Sequence, residues 1–207
     1  MQETQADAEV QVPVVQAQEH PEVATGQHRD AWTRAALEVL GERGVTGLAI
    51  EPLARSLGTT KGSFYWHFRD REDLIRAALE RWENAETDAV IAMLGPLADG
   101  GSRLRELLTA IFLTHADVPD RSVGLAAHPG HPAVDEVLAR VTRRRIDYVA
   151  EQLVAAGIDA EESRHRAVLA YTAYLGWSTM MRSTPEVLPR REQAAAFVES
   201  LMRLLVR

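Results

Sequence analysis

A chain of 207 residues in which 46% are hydrophobic is long enough to bury a core, in one large domain or two small ones. The absence of cysteine excludes disulfides and thiol chemistry, and without an export signal or a long apolar run we expect a cytoplasmic protein with no membrane span. The formal net charge of −7 excludes a chain that is basic throughout.

The N-terminal segment, residues 1–26, is acidic and shows neither a helical nor a strand period. It contains no Lys or Arg, and its five acidic residues, Glu3, Asp7, Glu9, Glu19 and Glu22, account for most of the net charge. Because such a segment buries little apolar surface, we predict a disordered acidic tail. The remainder of the chain is then nearly neutral.

The first predicted helix runs from Gln27 to Gly44. Its apolar residues recur at helical spacing, and the glycine is a natural C-terminal stop: Trp32, Ala35, Ala36, Val39 and Leu40 form the stripe. The next helix, Glu51 to Leu57, has Pro52 in its first turn, where proline is tolerated. A turn at Gly58 and Thr59 follows.

Two helix start signals come directly after this turn. Thr60 is a good N-cap for a short helix over residues 61–67, and Asp70 is a second N-cap with Asp73 three positions later. A helix, a tight turn and a second short helix predict a helix-turn-helix, whose second helix enters a DNA major groove.

The rest of the chain is predicted to be helical. A long helix runs from Arg71 to Leu94, where Gly95 and Pro96 end it, and at about 1.5 Å per residue it can connect the head to a second domain. Further helices are predicted over residues 102–116, 131–156, 161–182 and 189–206, with a short piece near 121–127. No strand pattern competes, so the predicted fold class is all-α.

The motifs of the head resemble the N-terminal domain of the TetR family of bacterial transcriptional regulators. The resemblance covers residues 31–79 and rests on Gly44, Leu53-Ala54, Leu57-Gly58, the polar run Thr59 to Ser63, the block Tyr65-Trp66-His67-Phe68, and Arg71-Glu72 before Leu74. It implies a three-helix DNA-binding domain at 27–74 and a helical ligand-binding and dimerisation domain at 75–207.

The predicted DNA-binding residues surround the second helix of the motif. They are Arg55, Thr59, Thr60, Lys61, Gly62, Ser63, Tyr65, Trp66, His67 and Arg71. The resemblance implies that Tyr65 and Arg71 contact phosphate, whereas Phe64 and Phe68 are expected in the core. Lys61 is the only lysine of the chain, which is either chance or a flexible charge beside a phosphate, and Arg55 could equally be a solvated helix charge.

The residues just before the second helix differ from the pattern of the family. Members usually have Ser or Thr just ahead of the second helix, where the hydroxyl caps the helix and reaches a phosphate, but this chain has Leu48-Ala49. A phosphate contact at that point is therefore in question.

Polar residues on apolar helix faces predict a cavity in the second domain. The hypothesised cavity for a small, largely apolar or aromatic effector is bounded by Phe112, His115, Arg145, Tyr148, Tyr174, Trp177 and Met181. Arg145 could bind an anionic end of the effector or form an ion pair in the core, because a buried cation needs a partner. His115 could equally be a satisfied core histidine.

The last two helices have wide apolar surfaces and predict a homodimer. The interface residues expected are Tyr171, Leu175, Phe197, Val198, Leu201, Leu204 and Leu205. Two copies would form a four-helix interface and present two recognition helices to a palindromic DNA operator. The alternative is that these helices close a monomeric core.

The function predicted from these features is a homodimeric repressor released from a palindromic operator by a small molecule. The alternatives are a helical ligand-binding protein or enzyme with a vestigial head, and an interaction scaffold. No catalytic constellation, cofactor or metal site is expected, because His128 and His131 in a Pro/Gly loop favour an ordinary turn.

Overall fold

The computed structural model describes residues 21–114 and 121–207 and is helical throughout, with no β-strand in these ranges. Most of the predicted acidic tail, residues 1–20, lies outside the described residues, as does His115. None of the helices described is long and apolar enough to cross a bilayer.

The head consists of α1 (Pro21–Arg43), a 3-10 turn (Val45–Gly47), α2 (Ile50–Ser56) and α3 (Lys61–His67). Helix α1 begins at Pro21 and not at Gln27, so residues 21–26 are helical and the predicted tail boundary is corrected; proline is well suited to a first turn. Both predicted N-caps are confirmed, because Thr60 accepts from the Ser63 N–H and Asp70 from the Asp73 N–H. Gly58 has a φ of 65°, the left-handed backbone that the turn between α2 and α3 requires.

The long helix after the head is continuous but not uniform. It comprises α4 (Arg71–Glu83), a π-helical segment (Asn84–Asp88) and α5 (Ala89–Leu94). A second π-helical segment, Ala110–Thr114, extends α6 (Gly100–Thr109). The structure agrees with the predicted extents of both helices, but the wider π turns were not predicted. Side-chain periodicity over five residues does not distinguish a π turn from an α-helical turn.

The second half contains α7 (Arg121–Ala126), α8 (Pro132–Ala155), α9 (Ala160–Ser183) and α10 (Ala194–Val206), with 3-10 turns at Pro185–Val187 and Arg191–Gln193. The predicted helices agree to within two residues except the last, whose regular part starts five residues later than expected, after Arg191–Gln193.

Two hydrophobic clusters form the core of the described residues. The first joins α1 to α4 with α7 and α8 and includes Trp32, Phe64, Phe68, Trp82 and Val141. Phe64 and Phe68 are therefore core residues, as predicted, and the packing continues past Leu74 into the second half. The second cluster joins α6, α8, α9 and α10 around Phe112, Leu153 and Trp177.

Candidate DNA-binding surface and ligand cavity

The recognition helix α3 presents its aromatic residues to solvent. Trp66 is 86% exposed and Tyr65 is 59% exposed, whereas Phe64 on the opposite side is buried against Trp32. Exposing the large apolar surface of a tryptophan to water is unfavourable, so a tryptophan that stays exposed indicates a surface that binds a partner. Stacking and apolar contact with nucleotides are what such residues can provide.

Polar residues flank these aromatics at both ends of α3. Thr60, Lys61 and Gly62 are exposed at its N-terminus, where backbone N–H groups favour an anion. The Lys61 ammonium lies 3.7 Å from the Glu51 carboxylate of α2, a surface ion pair that a phosphate can replace. Arg55 is exposed on α2, and Thr59 and Ser63 are half-buried. Six of the predicted DNA-binding residues are thus exposed, namely Arg55, Thr60, Lys61, Gly62, Tyr65 and Trp66, and their contact with DNA stays a prediction.

His67 is partly covered by α1. Its ring stacks on that of His28 at 6.3 Å, and its Nδ1 is buried without a hydrogen-bond partner among the described residues. Burial lowers the pKa of His67, and the charges of His28 and Arg29 lower it further. His67 is therefore favoured as a neutral imidazole at the edge of the surface.

Arg71 holds the head together in this structure. Its Nε donates to the Leu48 carbonyl at 2.8 Å, and its Nη2 donates to the Val45 carbonyl. These bonds fix the chain just before α2, whose N-cap Ala49 provides no side-chain bond. Leu48, one of the two residues found where a Ser or Thr was expected, is buried in the head core and packs there. The phosphate contact predicted for Arg71 competes with these bonds and stays a prediction.

A cavity of about 640 Å³ lies between the second hydrophobic cluster and the long helix. Six of the seven predicted effector residues line it, namely Phe112, Arg145, Tyr148, Tyr174, Trp177 and Met181. Sequence reasoning missed the wall contributed by the long helix, including Glu86, Thr87 and Val90. A helical wheel of α4 and α5 does not show it, because the π segment between them changes the register.

Arg145 is held by the protein itself. Its guanidinium donates to Thr87 Oγ1 at 3.0 Å, to Ser122 Oγ at 3.1 Å and to the Glu86 carbonyl at 3.1 Å, and it lies over the Trp82 ring. Arg145 thus braces the π segment against α7 and α8 while it lines the cavity.

The head also touches the second half through α7. Arg121 donates to Glu38 of α1 and to Glu86 of the π segment. At Gly124 an added Cβ would lie 2.2 Å from the Gly41 carbonyl oxygen, so α7 and α1 pack backbone to backbone. The cavity wall and the head are therefore joined by direct contacts.

Three of the predicted interface residues are buried within the protomer. Tyr171, Val198 and Leu205 are each at most 7% exposed, so they have little surface to offer a second copy and the prediction is corrected for them. Leu175, Phe197 and Leu201 are half-buried, and Leu204 is 74% exposed. The outer face of α9 is instead exposed and uncharged along Val168, Leu169, Thr172, Ala173, Gly176 and Met180, and its residues Leu169 and Ala173 also line the cavity.

The two loop histidines have separate partners. His128 Nδ1 lies 3.0 Å from the Gly124 carbonyl oxygen, and His131 Nε2 lies 3.2 Å from Glu72. Gly130 between them has a φ of 102°, as a tight turn requires. Within the described residues, no cluster of three or more potential metal-ligating side chains occurs.

Residues 33–78 match the sequence model of a family described as bacterial regulatory proteins, tetR family. Over 47 residues the chain is 47% identical to the tetracycline repressor protein class A from transposon 1721 of Escherichia coli. The aligned segment covers 23% of this chain and 22% of the repressor. The match thus spans less than a quarter of the length of that repressor.

Solved structures match along most of the chain. A TetR-family transcriptional regulator from Agrobacterium tumefaciens has a TM-score of 0.70 at 17% identity, covering 88% of this chain and 100% of that one. The regulator FadR from Bacillus subtilis, solved with stearoyl-CoA, has a TM-score of 0.64 at 15% identity, covering 86% and 97%. At these identities the likeness shows the fold, an N-terminal helix-turn-helix domain followed by a helical domain.

Proposed function

We propose, from the match of residues 33–78 to the tetR-family model, that this chain is a member of the TetR family and a homodimeric repressor that a small molecule releases from a palindromic operator. The observation that supports DNA binding most directly is the 86% exposure of Trp66 on a capped recognition helix. Lys61 is exposed at the N-terminus of the same helix, where its ammonium and the free backbone N–H groups supply the attraction for phosphate. We expect such a protein to act in the cytoplasm, where its DNA is.

The homodimer is supported by the outer face of α9. Leu169 is 66% exposed and Leu204 of α10 is 74% exposed, and the exposed α9 residues between His165 and Met180 are apolar, small or uncharged. Gly176 on this face has no atom within 4 Å of an added Cβ, so another helix can approach closely. A two-fold pair of α9 and α10 helices would bury this surface and place two copies of α3 on one side.

Release by an effector is supported by the position of the cavity. Its wall includes Glu86 and Thr87, which belong to the long helix that starts at Arg71, directly after the head. A ligand that fits one arrangement of this helix better than another shifts the population of the DNA-binding state. A coupling of about 1.4 kcal/mol weakens DNA binding about tenfold.

The test is fluorescence anisotropy with the DNA that flanks the protein's own gene, at two salt concentrations, against a shuffled sequence. We expect tight, salt-sensitive binding to the native sequence, lost in a Tyr65→Ala/Trp66→Ala variant. Val187→Ala removes an equally exposed apolar side chain far along the chain from the head and is the matched control. The mass in solution should be that of a dimer.

Two results would contradict the proposal. Equal weak binding to both DNAs at every salt concentration would favour a ligand-binding protein whose head does not recognise a specific DNA sequence. A clean monomer at micromolar concentration would remove the two-fold arrangement on which a palindromic operator depends.

A further inference from the structure

The acidic segment of the chain, residues 1–20, directly precedes the DNA-binding head. Residues 27–74 contain seven basic and seven acidic residues, so the net charge of the predicted DNA-binding domain is zero when histidine is neutral. DNA binding depends on the local field at the phosphates, so the acidic segment next to a neutral head decides the sign of that field. The segment contains no Lys or Arg and four acidic residues, namely Glu3, Asp7, Glu9 and Glu19.

The acidic segment joins the head close to the recognition helix α3. Helix α1 begins at Pro21, and its His28 stacks on His67 at the C-terminal end of α3, with 6.3 Å between the ring centroids. The part of α1 between Pro21 and His28 is about 10 Å long, and α3 itself is also about 10 Å long. A path of roughly 30 Å therefore leads from Pro21 to Lys61, and about ten extended residues span it.

The exposed face of α3, formed by Lys61, Tyr65 and Trp66, is both cationic and apolar. Trp66 is 86% exposed and Tyr65 is 59% exposed. Lys61 and Tyr65 are four positions apart on the helix, so their side chains are neighbours. The Lys61 ammonium pairs with Glu51 at 3.7 Å, and both side chains are more than half exposed, so another anion can replace this weak pair. A partner that combines carboxylates with apolar side chains complements this face.

The acidic segment has this combination. Residues 10–15 read VQVPVV, so four valines follow directly after Glu9. The valines can cover the two aromatic side chains of the α3 face while a carboxylate pairs with Lys61. A contact within one chain has an effective concentration of about the millimolar range, so even a contact with a millimolar dissociation constant is formed about half of the time.

We propose that residues 1–20 dock on the exposed face of α3 and compete with DNA for it. A carboxylate of residues 3–9 pairs with Lys61, and the valines of residues 10–15 cover Tyr65 and Trp66. DNA must displace the segment before it reaches α3, so the segment lowers the affinity for DNA. Only this consequence rests on the DNA binding proposed above, because docking itself requires no DNA.

Trp66 provides a measurement of docking without DNA. The chain has four tryptophans, and the other three, Trp32, Trp82 and Trp177, are at most 9% exposed, so acrylamide quenches mainly the fluorescence of Trp66. At about 50 mM salt we expect neutralisation of the segment to raise the quenching constant about 1.5- to 2-fold. At about 1 M salt, where the Debye length is about 3 Å, the two proteins should agree. The neutralised variant is the full chain with Glu3→Gln, Asp7→Asn, Glu9→Gln and Glu19→Gln.

Two controls accompany this comparison. Trp66→Phe, introduced into both proteins, should remove the difference in quenching between them, because the remaining tryptophans are buried. A distant-charge variant changes the net charge by the same amount and should be quenched like wild type. It neutralises four exposed acidic residues in the second half of the chain, with Glu106→Gln, Glu161→Gln, Glu186→Gln and Glu192→Gln.

Anisotropy with the native DNA sequence measures the competition. At about 50 mM salt the neutralised variant should bind about three- to tenfold more tightly than wild type, whereas the distant-charge variant should gain less than about twofold. The affinity of the neutralised variant should also fall more steeply with salt. In wild type, salt releases the competing segment and so offsets part of the loss of phosphate contacts.

The outcomes decide docking and competition separately. Equal quenching of wild type and the neutralised variant at about 50 mM salt would overturn the proposal, as would a difference that persists after Trp66→Phe. Protection of Trp66 that increases with protein concentration would show that the segment of another molecule binds there. An equal gain in DNA affinity from the distant-charge variant would assign the effect to net charge and overturn the competition. If wild type and variant bind native and shuffled DNA equally, the repressor proposal fails, and quenching still decides whether the segment docks.

Discussion

The guanidinium of Arg145 on α8 donates to the backbone carbonyl of Glu86 at 3.1 Å, inside the π-helical segment that interrupts the long helix. A π turn replaces the regular i to i+4 hydrogen bonds by wider i to i+5 bonds. Thr87 Oγ1 in the same segment accepts from Arg145 Nε at 3.0 Å. One side chain therefore stabilises the helical irregularity that forms a wall of the cavity and continues toward the head.

Replacing Arg145 should destabilise the fold. Arg145→Ala removes donors from Glu86, Thr87 and Ser122, so we expect the free energy of unfolding to fall by about 2 to 4 kcal/mol. Urea unfolding followed by circular dichroism measures this. Arg143→Ala, an exposed arginine on the same helix, should change it by less than about 0.5 kcal/mol. Equal stability of the two variants would show that the hydrogen bonds of Arg145 do not stabilise the fold.

The glycine at the crossing of α7 and α1 should be intolerant of a methyl group. In Gly124→Ala the Cβ would lie 2.2 Å from the Gly41 carbonyl oxygen, so the helices must separate. We expect a loss of about 1 to 3 kcal/mol. Gly41 is the facing glycine of α1, but the Cβ of Gly41→Ala would have no atom within 4 Å, so this variant should be neutral or slightly stabilising. Thermal unfolding of both variants tests this, and a stable Gly124→Ala would contradict the close approach.

The salt dependence of DNA binding should distinguish Lys61 from Arg71. Lys61 is exposed at the start of α3 with only the weak Glu51 pair, so Lys61→Ala should reduce the slope of log affinity against log salt by about 0.9 per protomer, which is about 1.8 for the dimer. Arg71 is engaged with Val45 and Leu48, so Arg71→Ala should leave the slope unchanged while lowering stability by about 1 to 2 kcal/mol. An equal reduction of the slope in both variants would show that Arg71 contacts a DNA phosphate.

Acidification should weaken the head through His67. Its pKa in the folded protein lies below the ordinary 6.5, first because of burial and then because of His28 and Arg29. The unfolded chain therefore binds more protons in this window, and the stability that His67 contributes is present above pH 6.5 and is lost as the pH falls through the folded pKa.

The His67 prediction is tested by measuring the free energy of unfolding at pH 7.5 and at pH values stepped downward. His67→Gln should flatten the decline below about pH 6.5, whereas His165→Gln, an exposed histidine on α9, should leave it as in wild type. An NMR titration that places the His67 midpoint above 6.5 would show that the sign is wrong.

Much of the architecture follows from local sequence alone. The caps Thr60 and Asp70, the glycine at Gly58 and the apolar stripe of α1 act within a few residues, and the structure confirms the helix-turn-helix that they predict. A cavity in the second domain was also predicted, because Arg145 stands out as a charged side chain on the apolar face of a single helix.

Tertiary structure alone decided which apolar face each helix turns inward and which partner each charged side chain finds. From Ala167 to Met181, α9 is apolar or small on nearly all sides, so its sequence could not show that Tyr171 packs inward while Leu169 remains exposed. The bonds from Arg71 to Val45 and from Arg145 to Glu86 join residues 26 and 59 positions apart. Local periodicity contains no information about such contacts, since they depend on how separate helices pack.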